Sequence, residues 1–206
     1  MKKLGFVLAV AVIALALAGS ALAQNCGESR VAQSGGDCSF YFVTYFSNNG
    51  GSAAKNPLAE PDATVRIIND GETGGNLWAD FYVFDDSEEL SECCSCVVTP
   101  DGLLSESVTK ELTANPLSGP IRQRGVIKVI SDGDGDPTDP YPVAGLRGWA
   151  THVQKAASGY VLTEDALADA NYSPYEAGAL GPICSILLQL GSGYGSCTCT
   201  LEDQDF

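Results

Sequence analysis

Basic residues are scarce in this chain of 206 residues. Lys and Arg number 11 against 26 Asp and Glu, a formal net charge of −15. That shortage excludes nonspecific nucleic-acid binding, which needs Lys and Arg to displace phosphate counterions. Histidine occurs once, at His152, so a Ser-His-Asp triad has a single candidate base. The Gly-x-Ser-x-Gly nucleophile signature is absent, because Ser192 and Ser196 lack a glycine two residues before them. There is no His-Glu-x-x-His, no P-loop and no dinucleotide fingerprint. We therefore expect His152 to be a packed strand residue, with no catalytic residue in the chain. Long apolar runs are missing after the first 23 residues, since Ile183 to Leu190 is too short to cross a bilayer. No internal repeat is found.

What is present begins with an address label. Lys2 and Lys3 precede an apolar run from Leu4 to Ala18, and Ala21-Leu22-Ala23 forms an A-x-A cleavage site. This is the anatomy of a secretory signal peptide, residues 1–23, which places the mature chain outside the cytoplasm. Secretion to the exterior or the cell surface, or retention in the periplasm, are the locations this allows. No cysteine stands at the cleavage point, as a lipoprotein would need. Residues 24–38 are small and polar and read as an N-terminal arm. Residues 39–206 read as a single domain, large enough to bury about 70% of its unfolded surface. Hydrophobic residues at 45% exclude a disordered chain.

All eight cysteines follow the cleavage site: Cys26, Cys38, Cys93, Cys94, Cys96, Cys184, Cys197 and Cys199. An even count in an exported chain reads as disulfides, although the number allows roughly a hundred pairings. Cys26 and Cys38 share one Gly/Ser-rich stretch and suit a local pair. Cys93 and Cys94 cannot bridge each other without strain. Three cross-links between the Cys93–Cys96 segment and the C-terminal cysteines follow as an expectation. Each closes a loop of about 90–105 residues, worth up to ~4–5 kcal/mol in the chain-entropy model, though not additively. The rival reading is a zinc or iron–sulfur site, against which stand the oxidising compartment and the missing C-x2-C spacing. A redox-active C-x-x-C is likewise absent.

The middle of the chain is written in strands. Ser39 to Phe46, Ala63 to Asn69, Leu77 to Phe84, Gly125 to Ser131 and Leu146 to Val153 are apolar or alternating runs bounded by turn residues. Ser107 to Leu112 reads as a weaker strand. Leu77 to Phe84 is nearly all apolar and fits a central strand covered on both faces. Thr163 to Ala170 reads as a short helix capped by Thr163. Ser173-Pro174-Tyr175-Glu176 matches a capping box with proline at the first helical position. That helix is expected to stop near Gly181-Pro182, with Pro182 opening a second one. The Gly191–Ser196 segment reads as a turn. The sum is a mainly β chain: an antiparallel β-sandwich of six or seven strands with a short helical, disulfide-pinned C-terminal segment.

The strongest candidate site is the segment from Asp132 to Asp139. Asp132, Asp134, Asp136 and Asp139 lie within eight residues, spaced by glycines that let the backbone curl. Calcium takes six to eight oxygens, and alternating aspartates in a tight loop supply them. The opening resembles an EF-hand loop, but Pro137 and Val143 stand where glycine and a bidentate glutamate are required. An acidic turn made of turn-forming residues is the other reading. The group Asp85, Asp86, Glu88 and Glu89 reads as a solvated loop at a strand end. Trp78, Trp149 and the tyrosines offer a sugar-stacking platform or, as the commoner use of aromatics on strands, core.

The segments YVFDDSEELSECCSC, VVTPDGL, NPLSG, GWATH and LGSGYGSCTC resemble those of a family of exported bacterial proteins with a CC-x-C segment and a C-terminal GSG…C-x-C segment. The resemblance spans roughly Ala63 to Cys199. It implies a secreted, cysteine-linked domain and carries over no activity or site residue. Export, cross-linking, an acidic surface suited to calcium and the missing catalytic signatures together suggest a non-enzymatic structural subunit of an extracellular fibre, surface layer or matrix. Self-association follows from that reading, with the N-terminal arm adding to a neighbour's sheet edge. A carbohydrate- or protein-binding β-sandwich module is the second reading, and a hydrolase with dispersed carboxylates the third.

Overall fold

The computed structural model describes residues 39–47 and 61–199. The expected signal peptide, N-terminal arm and Cys26–Cys38 pair lie outside these residues. Nine strands are described: β1 (Tyr41–Ser47), β2 (Thr64–Asn69), β3 (Leu77–Asp85), β4 (Leu90–Val98), β5 (Leu103–Ser107), β6 (Arg124–Asp132), β7 (Leu146–Lys155), β8 (Tyr160–Ala166) and the two-residue β9 (Ala168–Asp169). They form two sheets with antiparallel pairing throughout. Sheet A runs β4-β3-β6-β1-β9 and sheet B runs β5-β2-β7-β8. One helix, α1 (Pro174–Leu188), follows. The mainly β sandwich with a C-terminal, disulfide-held helix is as expected.

The core sits between the sheets. Phe42, Phe81, Val83, Ile127 and Val129 of sheet A meet Val65, Ile67, Leu146 and Ala150 of sheet B. Period-two alternation explains the choice: in β2, Val65 and Ile67 are buried while Arg66 and Ile68 are not. β3 is central and covered on both faces, because α1 lies over the outer face of sheet A. Tyr41, Tyr82, Ile130 and Cys93 of that face pack against Leu180 and Cys184 of α1.

Three local expectations are corrected, and one strand goes beyond them. The cysteine segment is itself a strand, β4, paired with β3 from Val98 to Leu90. Val108–Leu112 is a π-helical turn after β5: Val108 and Leu112 are both buried, four apart, and the Ser107 hydroxyl accepts from the Lys110 N–H. Spacing by four is a helical match that a strand reading of those residues misplaces. Thr163–Ala170 is not helical. It forms the end of β8 and β9, because the turn after Lys155 folds the chain back onto β7, where the ladder supplies backbone partners. Pro182 does not split the C-terminal helix, which runs unbroken through it. The helix start stands as read, with the Ser173 hydroxyl accepting from the Glu176 N–H at 3.2 Å.

Alternation along β4 distributes the cysteines. Cys93 joins the cluster under α1, whereas Cys94 and Cys96 join the sandwich core. The bonds follow: Cys93–Cys184 ties α1 to the sheet, and Cys94–Cys197 and Cys96–Cys199 tie the C-terminal segment to the edge of β4. These are the three expected links between the two cysteine groups. The Cys93 N–H donates to the Gly195 carbonyl at 2.8 Å, so that segment also covers the sheet edge. No free cysteine occurs among the described residues. Several disulfides mark a chain that resides outside the reducing cytoplasm. No helix among the described residues is long and apolar enough to cross a membrane.

Candidate functional site

The outer face of sheet A carries a layer of acids as well as the helix. In β3, Trp78, Asp80, Tyr82 and Phe84 alternate with the core residues. Across the ladder Trp78 pairs with Asp132, Asp80 with Ile130 and Tyr82 with Lys128. Asp80 and Asp132 are therefore diagonal neighbours on one face.

Residues 133–141 form the loop that leaves β6. Asp132 staples it: Oδ2 accepts from the Asp134 N–H at 3.1 Å and from the Gly135 N–H, and Oδ1 accepts from the Tyr141 N–H. Asp136 Oδ1 accepts from the Thr138 N–H at 2.9 Å and the Thr138 hydroxyl at 2.7 Å. These are turns in which short acidic side chains satisfy nearby backbone donors. Three of the four expected metal ligands thus serve the loop's own backbone, Asp134 through a longer bond from the Asp136 N–H at 3.4 Å. Asp134 and Asp139 border the open side. Among the described residues, no three carboxylates, whether of this loop or with Asp80 beneath it, bring ligand oxygens within 4.8 Å of one another.

The loop folds back over β3. Gly135 has φ +79°, and a Cβ there would stand 2.6 Å from the Trp78 ring. The Tyr82 hydroxyl donates to the Pro137 carbonyl at 2.8 Å. Asp80 lies between these two contacts and is wholly buried, with no hydrogen-bond partner for either carboxylate oxygen. Ser95, opposite it in the ladder, brings the one hydroxyl close enough to favour its charged form, outside ordinary hydrogen-bond geometry. Burial first, then the charge of Asp132, pushes Asp80 up to about 8, with Asp134 and Asp136 adding and Ser95 opposing. Burial raises Asp132 as well, against the loop N–H groups that favour its charged form. Hydrogen bonds from Thr138 hold Asp136 below its ordinary value. No Lys, Arg or His forms an ion pair with any of these acids among the described residues.

A cleft of about 540 Å³ opens between this loop and α1. Asp134, Asp139 and Tyr141 border it from the loop, and Tyr172, Ala177 and Gly181 from the helix side. Gly181 is the joint, since a Cβ there would stand 2.5 Å from the Thr138 carbonyl oxygen. Tyr172 is set edge-on to Phe40 at 5.7 Å and tilted against Tyr41 at 5.1 Å. Burial and the nearby charges of Asp80, Glu176 and Asp132 push its phenol up to about 12, so it stays a neutral hydroxyl. The helix is anchored beside the cleft by Glu176, which receives Lys128 Nζ at 2.8 Å and the Tyr41 hydroxyl at 2.8 Å. Burial works to raise Glu176, but Lys128 and Tyr41 outweigh it and hold the carboxyl low.

The other sequence candidates lie elsewhere. Asp85, Asp86, Glu88 and Glu89 make the β3–β4 turn, where Asp85 Oδ1 accepts from the Ser87 N–H at 2.8 Å and Arg124 pairs with Asp86 at 2.7 Å. His152 is buried and stacked on Tyr45 at 4.0 Å between centroids, and burial lowers its pKa. Its Nε2 is 3.8 Å from the exposed Asp165, and no serine hydroxyl donates to it among the described residues. Trp78 and Trp149 lie on different sheets and cannot form one platform. Trp149 is 36% exposed, so it is not core. The sulfurs of Cys94, Cys96 and Cys199 come within 4.8 Å of each other, but all are in disulfides and offer no thiolate. Sequence reasoning missed Asp80, Tyr172 and Gly181. For Asp80 the signal was there: it is the one acid inside the apolar run Leu77 to Phe84.

No family model matches the chain, and no curated protein matches it. Among solved structures, the crystal structure of Thermotoga maritima 1070 is similar at a TM-score of 0.41 and 12% identity, covering 63% of this chain and 90% of that one. The Anabaena sensory rhodopsin transducer is similar at a TM-score of 0.36 and 9% identity, covering 61% and 94%.

Proposed function

We propose that this protein is an exported, non-enzymatic β-sandwich module that binds a hydroxyl-rich ligand, of carbohydrate type, in the cleft between the 133–141 loop and α1. The observation that carries this reading is the cleft's lining: tyrosine and proline walls with the carboxylates of Asp134 and Asp139 at its rim. A sugar ring presents an apolar C–H face to an aromatic wall and hydroxyl donors to acids, and clefts of several hundred Å³ suit such ligands. The rigid frame around it, three disulfides and the Lys128–Glu176–Tyr41 anchor, favours a preformed site. Secretion or display at the cell surface is part of the same reading and rests on the signal peptide. The test is a glycan screen with the oxidised chain lacking residues 1–23, followed by titration of any hit. Tyr141→Ala should weaken binding about tenfold, while Trp149→Ala, on the other sheet, should leave it unchanged. Loss of binding in Trp149→Ala with Tyr141→Ala intact would move the site to sheet B.

A second reading, a structural subunit of an extracellular fibre, surface layer or matrix, is favoured by one observation. The solvent side of α1 is apolar: Tyr175 is 80% exposed, Ile186 65% and Ile183 41%. The only charged side chain of α1, Glu176, is occupied by Lys128 and Tyr41. This is an uncharged window in a strongly acidic chain, and the occupant it suits is the same window of a second copy. Light scattering after size exclusion decides it: a dimer or larger species that Ile186→Glu reduces to monomer supports self-association, and a monomer at about 100 μM overturns it.

A further inference from the structure

We propose that the ligand of this cleft, on the reading given above, carries a free ammonium: it is an amino sugar, in preference to a neutral or an acidic one. Charge decides the class. Asp134 and Asp139 border the cleft, and no Lys, Arg or His is among its lining residues. Neither acid forms an ion pair among the described residues. Lys128, beside the cleft, is committed: its Nζ lies 3.0 and 2.8 Å from the two carboxylate oxygens of Glu176. The helix wall feels the acids. Burial first, then the charges of Asp80, Glu176 and Asp132, push the Tyr172 phenol up to about 12. In a site of this sign a uronic acid is repelled, and a neutral sugar leaves the charge unanswered.

The walls suit an organic cation. Tyr141 borders the cleft from the loop and Tyr172 from the helix side. The negative face of a tyrosine ring attracts an ammonium. Pro140, Pro142 and Pro182 complete an apolar surface for the C–H face of a sugar ring. A metal ion fits the same acids less well. Calcium gathers six to eight oxygens around one point. Among the described residues, no three carboxylates bring ligand oxygens within 4.8 Å of one another. An ammonium needs only one carboxylate and leaves the second for a sugar hydroxyl.

The test is calorimetric titration of three trisaccharides into the oxidised chain at about pH 6, below the ordinary range of an amine. They share one β-1,4-linked frame and differ at carbon 2: ammonium in the glucosamine trimer, acetamide in the N-acetylglucosamine trimer, hydroxyl in the glucose trimer. The glucosamine trimer should bind about tenfold more tightly than the other two, from an exposed ion pair and a cation–π contact together. That gap should shrink to about threefold in Asp134→Asn or Asp139→Asn, whose amides keep the side-chain shape, and narrow in about 1 M NaCl. Glu89→Gln removes the same charge in the β3–β4 turn and should leave the gap unchanged. Equal binding of all three trimers would overturn the ammonium and leave the cleft reading standing. No binding of any trimer would overturn both. A gap that Glu89→Gln narrows as much as Asp139→Asn does would also overturn the inference, since it would report net charge alone. Spermidine binding as tightly as the glucosamine trimer would overturn the sugar and leave a polyamine site.

Discussion

The two outer faces of the sandwich treat charge in opposite ways. On sheet B, Arg66 reaches Glu164 at 2.7 Å and the Thr151 hydroxyl at 2.9 Å, with the Arg66 and Glu164 side chains 37% and 51% exposed. Water shares the work, and no buried acid is left over in that group. On sheet A, α1 and the 133–141 loop seal the face. One charge there, on Glu176, is satisfied by two donors, while Asp80 has none. A protein needs no special device to keep a charge at an open surface. It does need one to keep an acid under a cover, and the cover on sheet A is held by a disulfide, an ion pair and a glycine joint. The contrast is what favours sheet A for the proposed site, because a buried group that costs stability persists where it serves something else.

The largest predicted effect comes from cutting the cover. With Cys94–Cys197 intact, the Cys93–Cys184 bond closes only the short segment from 184 to 197. A loop of that length is worth about 3 kcal/mol in the chain-entropy model. A Cys93→Ser, Cys184→Ser chain should lose about that much in denaturant melts and lose its cleft ligand. Reduction of all three bonds should lower stability further. If the double variant is as stable as the parent, α1 is held by packing and Glu176 alone.

The second effect depends on pH and concerns Glu92, a sealed acid on the core-facing side of β4. Glu92 is 2% exposed, and burial pushes it up to about 8, against the Asn115 N–H and the Arg122 charge. Its folded value lies above its unfolded one, so folding favours the protonated form. That stability is complete below the unfolded value near 4.5 and is lost as pH rises through about 8. Melting temperature in EDTA should therefore fall from pH 6 to pH 9. Glu92→Gln should flatten the fall, by about 1–3 kcal/mol at pH 9. Asp80 bends the curve in the same direction, so the double variant should be flatter again. A Glu92→Gln curve parallel to the parent's would show that Glu92 ionises without cost.

Two glycines on α1 separate the joint from the helix. At Gly181 a Cβ meets the Thr138 backbone, and at Gly178 it meets nothing within 4 Å. Gly181→Ala should cost about 1–3 kcal/mol through overpacking and pry the loop from the helix. Gly178→Ala should gain about 0.5–1 kcal/mol from helix propensity alone. Equal effects in thermal melts would mean that loop and helix do not press on each other.

The sequence made the strand bodies legible because apolar alternation is local: Val65 and Ile67, or Leu77 to Phe84, declare their faces without help from the rest of the chain. That the two cysteine groups are linked to each other was legible, since neighbours such as Cys93 and Cys94 cannot bridge without strain, but which cysteine meets which depends on the alternation of β4. What was illegible depended on distant partners. Thr163–Ala170 carries helix-compatible residues, and only the ladder with β7 makes it extended. Val108–Leu112 shows a spacing that two periodicities can claim. In the candidate site, the loop acids announced themselves by density, yet density could not tell a ligand from a turn staple such as Asp132. Asp80 was visible as an acid in an apolar run, but its meaning needs the loop from residues 133–141 lying over it, some fifty residues away.

The smallest expected effect tests the contrast directly. Arg66→Ala removes an exposed pair and should cost no more than about 0.5–1 kcal/mol, less at high salt, because water replaces the guanidinium at Glu164 and Thr151. Lys128→Ala removes one member of a pair whose side chains are each 20% exposed. It leaves Glu176 with only the Tyr41 hydroxyl, and it also removes the ammonium 4.9 Å above the Phe84 ring. Its cost should exceed that of Arg66→Ala and resist added salt. Denaturant titrations of both variants at low salt and in about 1 M NaCl measure the difference. Were the two costs equal and equally screened, the face under α1 would be as wet as the open face of sheet B.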